Sequence, residues 1–123
     1  MNVAHWFELP VKDFQRAVQF YESVFDVNLK LMNLQELKMA LFPSDKNGSG
    51  SSGALVFNPQ HYQPNDNGIL IYLKTSDIDK SLKMVEENGG SIISGKVEIS
   101  SDFGSRAIVI DSEGNRIALL QKA

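Results

Sequence analysis

Cysteine is absent from the 123 residues, which excludes disulfides, thiolate catalysis and Cys-ligated metals. A dense basic cluster is also missing, and the formal net charge is −3. That balance argues against a nucleic-acid footprint or an anionic membrane surface as partner. No apolar run approaches the ~20 residues of a membrane span. The opening Met1-Asn2-Val3-Ala4-His5-Trp6 has no basic stretch followed by a long apolar one, so no export signal is read and the expected compartment is the cytoplasm. What is present is ordinary: 42% hydrophobic and 22% charged residues suit a soluble globular chain. The length fits one compact domain that buries roughly two thirds of its unfolded surface.

The chain also carries an internal echo. Sixty-four residues after Leu9, Asp13 and Glu22 stand Leu73, Asp77 and Glu86. Phe7 is matched by Ile71, Phe14 by Ile78, Arg16 by Lys80 and Val18 by Leu82. In both copies an alternating apolar run meets an Asp, and a helical pattern follows. Such a repeat is one supersecondary unit used twice, and two paired sheets tend to enclose a site.

Trp6 to Val11 alternates as a strand, with Phe7, Leu9 and Val11 on one face and Trp6, Glu8 and Pro10 on the other. Asp13 is a suitable N-cap, followed by Phe14, Ala17, Val18, Tyr21 and Phe25 at helical spacing. Strands are expected over Asn28 to Gln35, Glu36 to Phe42 and Ala54 to Phe57, with a polar loop from Pro43 to Gly53. Asn58 to Gly68, rich in Pro and Asn, reads as the linker. The second copy repeats the order: a strand over Ile69 to Thr75, Asp77 as N-cap, and Ile78, Leu82 and Val85 as the apolar stripe. Asn88-Gly89-Gly90 is the stop. Strands follow over Ser91 to Ser94 with Lys96 to Ile99, Arg106 to Ile110 and Arg116 to Leu120. Asp111 to Asn115 is the hairpin turn between the last two. Each half reads β-α-β-β-β, which makes the fold class α+β, with module one about 3–58 and module two about 68–121.

Trp6-Phe7-Glu8-Leu9-Pro10-Val11-Lys12-Asp13, with Arg16-Ala17 and Phe20-Tyr21, resembles the opening of vicinal-oxygen-chelate proteins. That superfamily includes glyoxalase I, bleomycin-resistance proteins and extradiol dioxygenases. Asp111-Ser112-Glu113-Gly114-Asn115-Arg116-Ile117-Ala118-Leu119 resembles its closing motif, and Ser76-Asp77-Ile78-Asp79 with Asn88-Gly89-Gly90 its second-module helix. The resemblance implies paired βαβββ modules whose sheets face a shared cleft. It says less about chemistry, since this fold hosts lyases, dioxygenases, epimerases and drug-binding proteins.

The family's enzymes hold one divalent metal with His, Gln or Glu from the first and last strands of each module. Carried onto this chain, those positions fall on Trp6, Leu70, Ala118 and Ala54 (or Val56 for a register slipped by two). None of these side chains ligates a metal. His5 is one residue off and belongs on the opposite face. The expectation is therefore no metal and no cofactor, and glyoxalase I activity itself is not expected.

The remaining cleft candidates are Trp6, Glu8, Leu70, Tyr72, Lys74, Arg116 and Ala118, joined by Lys96 and Glu98 on the facing strand. Glu8 beside Trp6 in an apolar cleft would suit a general acid or base; as a structural residue it would pair with Lys74, Lys96 or Arg116. Tyr72 serves either to orient a ligand oxygen or to fill the vacated metal cavity. Gly48-Ser49-Gly50-Ser51-Ser52-Gly53 matches a dinucleotide fingerprint in letters only, because no strand precedes it and no helix follows. Asn47-Gly48-Ser49 is a glycosylation sequon only for an exported chain. His61 with Tyr62 lies in the linker, as a lid over the cleft or as an exposed loop histidine. Asp77 and Asp79 read as cap and first-turn charge.

The leading expectation is a metal-free, homodimeric glyoxalase-like protein that binds a small, partly apolar molecule. The alternatives are a lyase or isomerase using Glu8 as acid/base, with Tyr72 and Lys74 or Lys96 polarising the substrate, and a homodimeric interaction module without a ligand.

Overall fold

The computed structural model describes residues 3–34, 37–45 and 51–123. Asp13 and Asp77 explain why two helices start where they do. Both hold an extended backbone, and each side chain accepts the backbone N–H three residues on, from Arg16 and from Lys80, at 3.1 Å. Helix α1 (Phe14–Phe25) buries Ala17, Phe20, Tyr21 and Val24, and α2 (Ile78–Glu87) buries Ile78, Ser81 and Val85. The i, i+3, i+4 spacing of these residues confines them to one stripe. Asp26 ends α1 in a left-handed conformation at φ 53°, and Asn88 with Gly89 (φ 94°) ends α2.

Each helix belongs to its own sheet. The first holds β1 (Trp6–Pro10), β2 (Lys30–Leu34), β3 (Leu37–Leu41) and β4 (Ser52–Phe57), ordered β1-β4-β3-β2. The second holds β5 (Ile71–Lys74), β6 (Ser91–Ser100), β7 (Gly104–Ile110) and β8 (Arg116–Gln121), ordered β5-β8-β7-β6. In both, the module's first strand stands at one edge of the sheet and runs parallel to the last, and the others pair antiparallel. The chain thus folds as two βαβββ units.

The echo reaches the level of register. Phe7↔Gly53, Glu8↔Ala54, Leu9↔Leu55 and Pro10↔Val56 recur 64 residues on as Ile71↔Ile117, Tyr72↔Ala118, Leu73↔Leu119 and Lys74↔Leu120. The third strands break the offset: Leu41↔Ala54 corresponds to Ile108↔Ala118, an offset of 67 on β7. The second module has the longer stretch before its third strand, and β6 is a ten-residue strand with register shifts.

One face of each sheet is sealed by the helices. Leu9, Val11, Ala40 and Leu55 from the first sheet join Ala107, Val109, Ile117 and Leu119 from the second in one core with Phe20, Tyr21, Ile78 and Val85. Full burial of a Phe- or Leu-sized side chain contributes roughly 1.5–3 kcal/mol, so this cluster dominates cohesion. The two helices lie against each other. Gly90 lets Phe20 and Val85 close up there: a Cβ on it would lie 2.8 Å from each and 2.5 Å from the Ile110 carbonyl. Ser81 Oγ donates across the helix contact to the Val24 carbonyl at 2.7 Å.

The Asp111–Asn115 turn locks the modules together. Its Asp111, Glu113 and Asn115 are buried polar residues. Glu113 accepts from the backbone N–H groups of Lys12 and Asp13, from the Arg16 guanidinium and from Ser112 Oγ. Asn115 Nδ2 donates to the Pro10 carbonyl at 2.7 Å, and Tyr21 donates to Asp111 at 2.5 Å.

Candidate functional site

With one face of each sheet committed to the core, strand alternation assigns the other face. On the first sheet it carries Trp6, Glu8 and Pro10 of β1, Ala54 and Val56 of β4, and Met39 and Leu41 of β3. On the second it carries Tyr72 and Lys74 of β5, Arg116, Ala118 and Leu120 of β8, and Arg106 and Ile108 of β7. Leu70, just before β5, continues this alternation and is partly buried. Ala54 and Ala118, related by the repeat, form the floor of the two faces and are 0% exposed. Trp6 and Tyr72 stand above those floors and keep 44% and 46% of their surface in solvent.

Glu8 is exposed, so within one chain the apolar enclosure expected around it is not formed. Its partners also differ from the expected cations. Tyr62 of the linker donates its hydroxyl to Oε1 at 2.8 Å, and the Trp6 indole donates to Oε2 at 3.3 Å. These contacts fasten the linker over Trp6, while His61 is exposed. The Tyr62 hydroxyl is held above its ordinary pKa by donating to Glu8 and by that carboxylate's charge.

Lys96 and Glu98 fall on the other side of the second sheet from that expected. Ser91 pairs with Ile110 and Val97 with Arg106, both outer-face partners, and the two shifts between Ile92 and Val97 each add one residue on β6 and cancel. Lys96 and Glu98 therefore keep the parity of Ile92, on the side of the core. Val97 takes the outer face, Lys96 forms an ion pair with Asp79 of α2 at 3.2 Å, and Glu98 shares the register of Ser105. Alternation counted from Ser91 gives the same placement.

The family's metal positions can now be checked against register. Trp6, Ala54, Leu70 and Ala118 lie on the outer faces, and Val56 of the slipped alternative is apolar too. An indole and aliphatic side chains offer no lone pair of the kind a divalent ion accepts. Among the described residues no group of three or more His, Cys, Asp or Glu is placed to hold a metal ion. The residues present do not fit the group.

The polar cluster at the 111–115 turn is not a second site, because its acceptors already have partners. Asp111 receives the backbone N–H groups of Glu113 and Asn115, the Asn115 amide and the Tyr21 hydroxyl. Burial raises its pKa, against those hydrogen bonds, which lower it. Burial raises the Glu113 pKa too, but the Arg16 guanidinium and its other donors outweigh this, leaving the group below its ordinary value. The same contact raises Arg16. Tyr21 is pushed well above 10 by burial and by the facing Asp111. The run Asp-Ser-Glu-Gly-Asn was legible as a turn, but its role as a lock between modules was not.

A shallow hollow of about 550 Å³ lies away from these faces, lined by Phe14, Leu31, Met32, Lys38 and Phe57, with Lys12 at its rim. A smaller one of about 280 Å³ is lined by Lys74, Thr75, Ser76, Gln121 and Lys122. Neither contains the Trp6–Glu8 or Tyr72–Ala118 pairs. Asn47 to Gly50, the start of the Gly/Ser run, lie outside the described residues, whereas Ser52 and Gly53 open β4. No described helix is long and apolar enough to cross a membrane.

Paired βαβββ units, locked through the Asp111–Asn115 turn, define a glyoxalase-type fold. The chain belongs to the Glyoxalase/Bleomycin resistance protein/Dioxygenase superfamily, whose profile matches residues 3–119. Among solved structures, glyoxalase I from Zea mays superposes with a TM-score of 0.70 at 20% identity, over 94% of this chain and 44% of that one. The chain therefore spans less than half the length of the maize enzyme. A glyoxalase family protein from Bacillus cereus gives a TM-score of 0.73 at 15% identity, covering 97% of this chain and 93% of that one. TnmS3, an antibiotic-binding protein from Streptomyces sp. CB03234, gives 0.66 at 25% identity, covering 100% and 99%. A search of curated protein sequences returns no match.

Proposed function

We propose that this protein binds a small, partly apolar molecule on the outer faces of its two sheets, without the family's metal. The observation that carries this reading is the pair of alanine floors, Ala54 and Ala118, each beside a half-exposed aromatic ring and each at a position where a family enzyme carries a ligand to metal. Small floor residues leave room, and Trp6 and Tyr72 offer flat apolar surface with one polar atom each. The antibiotic-binding relative of nearly equal length supports a binding role for such a scaffold.

The helices occupy the ground between the two inner faces, so each outer face is open in a single chain. The reading therefore includes a homodimer, in which the outer face of module one meets that of module two from the partner copy and the ligand lies between them. Such pairing is self-complementary, as a twofold interface requires. A cytoplasmic, cofactor-free protein is part of the same proposal.

Mass spectrometry of small molecules released from the purified protein tests it directly. Trp6 is the single tryptophan, so its fluorescence reports occupancy of the first outer face. We expect saturable quenching by a released molecule or by an aromatic antibiotic, weakened at least tenfold in Tyr72→Ala and in Ala118→Leu. No co-purified molecule and no saturable quenching across the antibiotic panel would overturn the reading.

A further inference from the structure

The two outer faces repeat the same architecture but not the same charge. In register, Pro10 corresponds to Lys74, Ser52 to Arg116 and Met39 to Arg106. Three uncharged positions of the first module are all cationic in the second. The counterpart of Glu8 is Tyr72. The strand positions on the outer face of module two thus hold three cations and no acid, in a chain whose net charge is −3. Among the described residues none of Lys74, Arg106 and Arg116 has a carboxylate within ion-pair distance.

Arg116 is the most constrained of the three. Its Nη2 donates to the Gly68 carbonyl at 2.9 Å, which holds the guanidinium against the linker. Its Nε is buried and has no acceptor, alone in this among the buried side-chain nitrogens and oxygens of the described residues. A buried N–H without an acceptor is unfavourable, and a guanidinium is matched best by a planar anion that takes two of its N–H groups together. Two residues along β8, about 7 Å away, lies the Ala118 floor, with Tyr72 as its cross-strand neighbour. That spacing is about the distance from a carboxylate to the far ring of a fused aromatic acid.

We propose that the outer face of module two selects a planar aromatic anion. The carboxylate is held at Arg116, the ring lies over Ala118 against Tyr72, and Lys74 and Arg106 add positive potential from the far end of the face. This inference rests on the small-molecule reading above and adds to it the ligand's charge and shape.

A charge series on one ring system tests it: 2-anthracenecarboxylate, its primary amide and 2-(aminomethyl)anthracene, followed by fluorescence anisotropy at low ionic strength. The carboxylate should bind at least tenfold tighter than the amide, with the ammonium weakest, and the advantage should shrink in 0.5 M salt. Arg116→Met should reduce the preference below threefold, weakening the carboxylate far more than the amide. If that variant does not fold, Arg116→Lys, which keeps the charge but has no Nε, should lose most of the preference. Equal binding of carboxylate and amide, or a preference that survives in the folded Arg116 variant, would overturn the assignment of an anion. Binding by none of the three would overturn the planar aromatic assignment, whereas the small-molecule reading falls only when no molecule co-purifies and no antibiotic quenches Trp6, so the two failures are distinct.

Discussion

Tyr21 of the first module donates its hydroxyl to Asp111 of the second at 2.5 Å, and neither group is in contact with solvent to any useful degree. The bond spans ninety residues and crosses between modules. It also makes the stability of the fold depend on alkaline pH through one phenol. In the unfolded chain a tyrosine ionises near pH 10, whereas folded Tyr21 is held well above that value by burial and by the Asp111 charge. A raised folded pKa contributes stability that is present below the unfolded value and lost as pH rises through the folded one. Tyr21→Phe should cost about 1–3 kcal/mol near neutral pH, because buried Asp111 loses a donor. Above pH 10 the variant should show a shallower decline than the parent, as measured by urea unfolding across pH. Parallel alkaline limbs in both proteins would contradict the assignment.

Glu113 behaves in the opposite sense. Its folded pKa lies below the ordinary carboxylate value of 4.5, chiefly because the Arg16 guanidinium and backbone donors outweigh desolvation. The stability it provides is present above pH 4.5 and lost as pH falls through the folded value. Its side chain is 0% exposed but Arg16 is 48% exposed, so screening by solvent tempers the charge part of the pair. Glu113→Gln should lower stability by roughly 1–3 kcal/mol at pH 7 through weaker and mismatched hydrogen bonds. That variant's acid limb should be flatter than the parent's in denaturation followed from pH 6 to pH 3.

Gly90 tests the contact between the helices. Its backbone φ does not demand glycine, but a Cβ there would meet Phe20, Val85 and the Ile110 carbonyl, all inside 3.0 Å. Phe20 and Val85 are fully buried and have little freedom to withdraw. Gly90→Ala should therefore destabilise by about 1–3 kcal/mol, the range for overpacking a filled core. Gly114→Ala meets no atom within 4 Å, yet its φ of +99° makes it a test of backbone strain alone. The Gly90 variant should show a lowered midpoint that a compensating Val85→Ala partly restores.

Metal removal should have no effect. With Trp6, Leu70, Ala54 and Ala118 at the family's ligand positions, EDTA is expected to change neither the thermal midpoint nor binding of the anthracene carboxylate. Added zinc or nickel should raise neither. Elemental analysis finding one equivalent of a divalent metal in chelator-treated protein would refute this.

Much of this molecule was legible in the sequence because the decisive signals are local. Asp13 and Asp77 mark both caps, and the alternation around Leu9 and Leu73 correctly separates the core face from the outer one. The 64-residue offset even gives the register of the parallel pairs. What escaped were features that depend on geometry at a distance. Lys96 shares the side of Ile92 and reaches Asp79 of α2, a pairing set by where that helix lies over the sheet. Glu8 was expected beside cations, but a linker tyrosine 54 positions away reached it first. The charge difference between the faces was present in the sequence all along. Pro10/Lys74 and Ser52/Arg116 follow the 64-residue offset, whereas Met39/Arg106, at an offset of 67, needed the register of β3 and β7.

The parallel pairing of first and last strands has a kinetic consequence. Because Trp6 pairs with Ser52 and Ile71 with Ile117, neither sheet can close until nearly its whole module has left the ribosome. Such non-local closure is slow, since loop entropy is lost before pairing compensates it. The first module can complete its ladder while the second is still being made, yet Lys12, Asp13 and Arg16 wait for Glu113 near the end of the chain. Stop codons placed before residue 111 should therefore leave nascent chains with a formed first sheet whose α1 entry remains exposed to chaperones and proteases.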